Sequence, residues 1–424
     1  MQKAFKYRLY PNKATEKKLY FVLNHCRELY NAALSERKDA YQLHQRTVVH
    51  VNPETGGVVA AMMVANQRVK TITYTQQQND LPEIKHELRP EYEEIAAHVL
   101  QDVLRRLDKA FKAFFRRLGN GQTPGFPRFQ GRNRYDSFTY PDGAGWKLTV
   151  ESQGKKLKGT LHLTKIGEIK VKLHRPIEGK IKTATIKREV DQWYVTFSCE
   201  VPEPEKLPIA YEDVGIDLGV THLATLSNGE KIEHPRYYRR AQKMLERRQQ
   251  TLSRKKKGSH RRERAKRLIG KAHRKICKQR RDFLHKQSKK IVGRYQVIVF
   301  EDLQVSNLVK RPKTKQDEDG TYLPNGAAAK GGLNKSILDA GWGTFVAMCS
   351  IKAVYAGRTL IKVNPHYTSQ VCSGCGQVKK KDLSERWHSC ECGAELDRDI
   401  NAAINILRLG RSQQSAMAVE APCL

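Results

Sequence analysis

The sequence predicts a multidomain protein that joins an α/β fold to a small antiparallel β-barrel or sandwich and a helical region. Three observations predict it. Short β-type runs crowd residues 146–201 between Gly and Pro turns. Apolar strand runs alternate with helical periods from about 211 to 410. Two further helical periods occupy 14–45 and 91–118. At 424 residues the chain has length for two to four such bodies.

Residues 3–10 (KAFKYRLY) alternate like a strand, and Pro11 ends it. In 14–45, Leu19, Val22, Leu23, Cys26, Leu29, Tyr30 and Ala33 recur at three- and four-residue steps, which predicts a helix. Two apolar runs flanking Asn-Pro-Glu-Thr-Gly-Gly predict a hairpin-like insert over 46–70. The helix at 91–118 puts Leu100, Val103, Leu104, Leu107 and Phe111 on one face and Arg105, Arg106, Lys109 and Lys112 largely on the other. The runs KLTV, GTLHLT, EIKVKL, IKTATIKRE and QWYVTFSCEV supply the β-region, and Pro202, Pro204 and Pro208 form a linker. Beyond it come a strand pair around VGIDLG, two basic helices over 236–290 and a strand at 297–300. A loop over 311–332, a helix over 337–356 and a strand at 359–363 follow. A last helix starts near Asp399, with a disordered tail at 411–424.

Charge narrows the partners. There are 78 Lys and Arg against 44 Asp and Glu, a net +34. Residues 236–290 hold 24 Lys and Arg and three acids. A stretch so basic repels itself without a polyanion, so nucleic acid is the expected partner. Its centre is the turn Arg254, Lys255, Lys256, Lys257. No run of about 18 apolar residues suggests a membrane span, and the start lacks a signal-peptide core. The expected location is cytoplasmic or nucleoid-associated.

Three acids stand where chemistry could gather. Asp217 ends the apolar run VGID, Glu301 follows VIVF, and Asp399 opens the last helix. They are 84 and 98 residues apart, so only folding can unite them. Strand ends and a helix start at one sheet edge would do so. Three carboxylates together repel one another, and burial raises that cost. Mg²⁺ relieves it with oxygen ligands. Two such ions roughly 3.5–4 Å apart can activate water and stabilise the leaving 3′ oxygen of a phosphodiester. Asp397 is the rival of Asp399; its alternative role is a helix cap.

Nine cysteines are present and only four cluster. Cys372 and Cys375 form one pair; Cys390 and Cys392 form another, after 14 intervening residues. Two pairs at this spacing predict four thiolates around one structural Zn²⁺. The second pair has a single residue between its members, which leaves His388 as a spare ligand. Cys26, Cys199, Cys277 and Cys349 read as small buried residues.

Taken together, GIDLGV (215–220), TLSRKKKGS, RRDFLHK, VFEDL (299–303), DAGWG (339–343), NPHYTSQVCSGCG (364–376) and CGAELDRDINAAINIL (392–407) resemble the TnpB proteins of insertion sequences. These are relatives of the miniature type V CRISPR effectors. FKYRLYPN, LQDVLRRLDKAFKAFFRR and GFPRF fit as well, so the resemblance covers nearly the whole chain. It implies an RNA-guided endonuclease that cuts double-stranded DNA next to a short adjacent motif, with guide RNA and target DNA as partners and a monomer as the working form. The implied architecture has a RuvC (RNase H-like) nuclease domain at 206–370 and 397–410. A zinc-ribbon insertion that contacts target nucleic acid occupies 371–396. An oligonucleotide-binding-type wedge β-barrel takes 1–10 and 119–205, and a helical recognition domain takes 11–118. Asp217, Glu301 and Asp399 become the RuvC triad. Tyr74, Gln101 and Thr139 look similar to positions that contact the adjacent motif in relatives. The insert at 46–70 and the loop at 311–332 depart from a compact family member.

Three rivals stand beside this reading. A compact CRISPR effector would differ in its neighbouring DNA. A non-cutting RNA-guided repressor would tolerate loss of an acid from the triad. A transposase that moves DNA itself would need a Tyr nucleophile with a His-hydrophobic-His motif, and the chain shows no such arrangement.

Overall fold

The structure, a computed structural model, describes residues 1–51, 58–65, 71–153, 156–380, 382 and 385–420. It divides into two compact units, Met1–Pro202 and Glu203–Leu424.

The first unit is a sheet packed against helices. Strand β1 (Gln2–Tyr10) leads into α1 (Lys13–His44) and the hairpin β2 (Gln45–Val51) and β3 (Val58–Ala65). The turn of that hairpin, Asn52 to Gly57, lies outside the described residues. Short helices α2 (Tyr74–Asn79) and α3 (Leu81–Glu83) precede α4 (Ala97–Gly119). Strands β4 (Ser137–Tyr140), β5 (Trp146–Gln153), β6 (Lys156–Leu163), β7 (Gly167–Leu173), β8 (Lys180–Glu189) and β9 (Gln192–Glu200) follow. The sheet order is β4-β8-β9-β1-β7-β6-β5, all antiparallel where register is defined. Among the described residues no ladder joins β4 to β5, so this is a single open sheet, neither a hydrogen-bonded barrel nor a two-sheet sandwich. Alternation in β1 turns Phe5, Tyr7 and Leu9 inward. They share one core with Leu19, Leu23 and Cys26 of α1 and Val103, Leu104 and Leu107 of α4.

The second unit is a three-layer α/β body. Strands β10 (Glu212–Asp217), β11 (His222–Leu226) and β12 (Lys231–Glu233) form an antiparallel meander. Helices α5 (Tyr237–Ser253) and α6 (His260–Arg294) cross to β13 (Tyr295–Glu301), which runs parallel to β10. A helical turn α7 (Val305–Leu308) and a two-rung hairpin, β14 (Lys315–Gln316) and β15 (Tyr322–Leu323), come next. The expected loop at 311–332 thus carries local order, because Asp317 and Gly320 close a turn and α8 already starts at Ala327.

The helix expected at 337–356 is two helices, α8 (Ala327–Ala340) and α9 (Trp342–Ala356). Gly341, at φ +75°, breaks them apart. By length and composition residues 327–356 could cross a membrane, yet Ile337, Trp342, Phe345, Cys349 and Ala353 are buried in the core beside the sheet. Strand β16 (Thr359–Val363) extends the sheet in parallel, giving the order β12-β11-β10-β13-β16.

The small hairpin β17 (Trp387–Ser389) and β18 (Glu395–Asp397) precedes α10 (Arg398–Glu420). Residues 411–420, expected to be a disordered tail, continue this helix; the run carries no Pro or Gly after Gly410 to stop it. Residues 421–424 lie outside the described residues.

The two faces of the sheet divide the work. Val214, Ile216, Ile298 and Phe300 face a core shared with α6 and α9. On the opposite face Val297, Val299 and Val363 pack with Ile406 of α10. Gly215 lets α10 lie almost on the strand: a Cβ there would stand 2.1 Å from the Ala403 carbonyl oxygen. Midway along the helix a Cβ on Gly410 would stand 2.5 Å from Val299 Cγ2. Arg411 pairs with Asp213 at 3.1 Å beyond it.

Candidate functional site

The register of the parallel strands builds the first half of the site. Ile216 pairs with Phe300, so Asp217 and Glu301 end adjacent strands side by side. Side chains alternate along a strand. Gly215 and Val299 face α10, and therefore so do Asp217 and Glu301, two residues on. Asp399, the second residue of α10, completes the group. All three are half-buried. Burial, then the carboxylates of Glu301 and Asp399, push Asp217 well above the usual carboxylate range. Burial also raises Glu301, and a hydrogen bond from the Thr368 hydroxyl offsets part of that rise. Among the described residues no Lys or Arg forms an ion pair with any of the three.

The neighbouring acid has a different task. Asp397 Oδ1 accepts from the backbone N–H of Asp399 at 2.8 Å and of Ile400 at 3.4 Å, which caps α10. Its Oδ2 lies 2.7 Å from Lys231 Nζ. Partial burial would raise Asp397, but Lys231 and the two N–H groups outweigh it and hold the carboxyl below its ordinary range. Arg398, between the two acids, turns the other way. It donates to the carbonyls of Asp382 and Glu385 at 2.8 and 3.3 Å.

Those carbonyls belong to the cysteine module. The sulfurs of Cys372, Cys375, Cys390 and Cys392 lie within 4.8 Å of one another, and no other described group of His, Cys, Asp and Glu meets that spacing. Cys372 and Cys392 are 3.6 Å apart, as are Cys375 and Cys390. Tetrahedral ligation with metal–sulfur bonds of about 2.3 Å needs sulfurs about 3.8 Å apart, so the residues fit one ion. His388 is buried beside them and hydrogen-bonds to the Cys372 sulfur. Burial would raise the Cys372 thiol, but N–H groups of Cys375 and Gly374 and the His388 contact bring it down, favouring thiolate.

Comparisons with known families place the chain. Residues 196–312 match the OrfB_IS605 family, described as "Probable transposase"; 342–406 match the Cas12f1-like TNB domain; 1–46 match the OrfB_IS605 helix-turn-helix domain. Over that last stretch the structure has strand β1 and the single helix α1. "Putative RNA-guided DNA endonuclease InsQ" of Escherichia coli (strain K12) is 32% identical over 411 residues, 96% of this chain and 92% of that protein. The chain belongs to the TnpB family. A second relative, "Putative RNA-guided DNA endonuclease" of Streptomyces pristinaespiralis, is 32% identical over 97% of this TnpB-family chain and 90% of its own length. The fold resembles that of the mini-RNA-guided endonuclease CRISPR-Cas_phi3, with a TM-score of 0.52 at 10% identity, covering 97% and 92% of the two chains.

The other residues singled out in this TnpB-family sequence lie on helices, a strand and a turn. Arg254, Lys255, Lys256 and Lys257 form the turn between α5 and α6, all exposed except half-buried Lys255. In the first unit Tyr74 lines a cavity of about 410 Å³ with Tyr41, Phe111, Lys112 and Phe115. Gln101 is half-buried on α4, and Thr139 on β4 accepts a hydrogen bond from Arg106. All three border α4. Cys26, Cys199 and Cys349 are buried, but Cys277 is exposed, because it falls on the solvent side of the basic helix α6.

Sequence reasoning missed the residues that hold the site in place. Asp339, buried, accepts from the N–H of Tyr238 at 3.0 Å and pairs with Arg280 at 2.8 Å, so it anchors both basic helices. Trp342 Nε1 donates to the Gly219 carbonyl at 3.1 Å and clamps the loop after Asp217. These contacts give DAGWG its structural meaning. The only signal in the sequence was the motif itself, since each partner is more than 50 residues away.

Proposed function

We propose that this chain is an RNA-guided DNA endonuclease, as the names of its relatives suggest, and that it cuts double-stranded DNA beside a short adjacent motif. One observation carries the proposal: three carboxylates, with no Lys or Arg ion pair among the described residues, gather at two strand ends and a helix mouth, with Asp217 driven toward protonation by burial and then by the other two. Such a cluster suits divalent cations. Asp217, Glu301 and Asp399 would hold Mg²⁺, which when bound supplies an activated water and stabilises the leaving oxygen. The chain's own part is to fix the carboxylates on rigid elements and to present positive charge. Asp397 holds the helix that positions Asp399, and Lys231 balances Asp397.

The second unit reads as a RuvC, RNase H-like nuclease domain, supported by its sheet order and mixed strand directions. The four cysteines would hold one structural Zn²⁺ in a zinc-binding module that meets target DNA. The open sheet of the first unit serves as the wedge and its helices as the recognition region. Tyr74, Gln101 and Thr139 would read the adjacent motif. The basic turn 254–257 and the groove of about 490 Å³ between α5 and α6, lined by Arg240, Arg248, Lys271 and Lys275, would contact nucleic acid. Guide pairing supplies sequence choice in such a system. The protein would act as a monomer on cytoplasmic DNA.

The test is cleavage of a plasmid by protein expressed with its flanking DNA. A structured RNA should copurify. Asp217→Ala, Glu301→Ala and Asp399→Ala should each cut at least about a thousandfold more slowly, as expected for groups that act in the transition state, while guided binding persists. Asp397→Ala should lose less than Asp399→Ala. Cutting by all four variants would end the nuclease reading.

A further inference from the structure

We propose that Thr368 is a positioning residue for Glu301. Its hydroxyl fixes which carboxylate oxygen is left to face a cation, and it ties that orientation to the cysteine module. The inference rests on the nuclease reading above.

Thr368 is 5% exposed, and its Oγ1 lies 2.5 Å from Glu301 Oε1. A hydroxyl has one proton to give. The Pro365 carbonyl, at 3.2 Å, competes for it. The carboxylate is nearer and charged, and charge-assisted bonds are stronger. Glu301 Oε1 is therefore engaged, and Oε2 is the oxygen left for other work.

Thr368 does not hold this place alone. Asn405 Nδ2 donates to the Thr368 carbonyl at 2.9 Å and to the Val371 carbonyl at 2.7 Å. One turn earlier, Asn401 Nδ2 donates to Val371 at 2.7 Å, and its Oδ1 accepts from Ser373 N–H at 2.9 Å. Both Asn side chains are buried on α10. The backbone from Thr368 to Ser373, which includes Cys372, is thus bolted to the helix that carries Asp399. One short segment touches Glu301 at one end and the thiolate site at the other. Shifting it would lift the hydroxyl from Glu301.

A residue that only shapes the local turn would leave cation binding untouched when its hydroxyl is lost. The experiment compares full-length Thr368→Val, Thr368→Ala and Thr368→Ser with the native protein. Calorimetry measures Mn²⁺ binding without nucleic acid, with Asp217→Ala as the blank. The guide complex then gives the Mg²⁺ concentration for half-maximal cleavage. Val and Ala should weaken Mn²⁺ binding and raise the Mg²⁺ requirement by about ten- to a hundredfold, the usual cost of losing a group that orients a metal ligand. Ser should stay close to native, with zinc content unchanged. The Ala–Ser pair differs only in the hydroxyl, so it decides the matter even if a buried Val impairs folding. Native Mn²⁺ affinity and native Mg²⁺ dependence in Thr368→Ala would overturn the proposal. If Asp217→Ala is inactive in the same assay, the nuclease reading survives that result; if Asp217→Ala also cuts, the nuclease reading itself fails.

Discussion

The cysteine module and the carboxylate cluster meet at Asp397-Arg398-Asp399, yet they are assembled by opposite means. The four sulfurs come from a stretch of chain, 372–392, folded by two tight turns and a hairpin. Between 371 and 396 only Cys372 and His388 are buried among the described residues, so almost no apolar core supports it. Binding energy from a metal must serve as folding energy there. The acids come from three elements far apart in sequence, and an apolar sheet with a helix laid on it sets their places. On the proposed reading the module would need a metal to keep its fold, whereas the acid cluster would need the fold to gather one.

That contrast can be broken most directly at the cysteines. Cys375→Ser should take zinc from about one per chain to none by elemental analysis. Limited proteolysis should then cut within 371–396 while the body of the sheet stays protected. Full zinc loss with no new cleavage sites would mean that the module folds without its metal.

A smaller effect is expected at the seam beneath the acids. Gly215→Ala forces a methyl into the Ala403 carbonyl and the Leu407 N–H, so α10 must shift. The cost should be about 1–3 kcal/mol, typical of overpacking, seen as a lower midpoint in urea. DNA cutting should fall with it because Asp399 moves, while zinc content stays native. Unchanged stability would show that the seam yields more than its contacts suggest.

The smallest effect is electrostatic. Asp217 holds its proton more tightly folded than unfolded. In Mg²⁺-free buffer, stability is therefore lost as pH rises from the unfolded carboxyl range, about 4, up through the folded value. Asp217→Asn escapes that loss. Its thermal midpoint should exceed the native one by a few degrees at neutral pH, and the advantage should vanish in acid. Added Mg²⁺ should erase it by stabilising only the native protein. A native protein that is the more stable of the two without Mg²⁺ at neutral pH would contradict the burial argument.

How much could be read beforehand follows from the reach of each interaction. Asp217 and Glu301 were legible because each ends an apolar run that can only be a buried strand. The cap role of Asp397 was legible because it sits two residues before Asp399. Gly215 could not be understood from sequence, since its neighbour Ala403 is 188 positions away. Thr368 was equally silent, its acceptor being Glu301. In the first unit, β4 was hidden because its four residues lie among Gly, Pro and aromatic residues that read as loop. The openness of the sheet was hidden too, for strand runs do not say which edges pair. Helical period gave α1 and α4 at once, whereas the break at Gly341 depended on one backbone angle.

The triplet where the two sites meet also sets where the chain can change length. Asp397, Arg398 and Asp399 serve a cap, a carbonyl tether and a carboxylate cluster, each on a different side. Successive helical residues point about 100° apart. One residue added between Asp397 and Asn401 would turn the rest of α10 out of phase. The Ala403 contact with Gly215 and the Asn405 bonds would then face the wrong way. The β2–β3 and β14–β15 hairpins carry no such phase constraint, because their strands pair mainly with each other. Insertions should be absorbed there and rejected at the triplet, so its spacing matters as much as the identity of its residues.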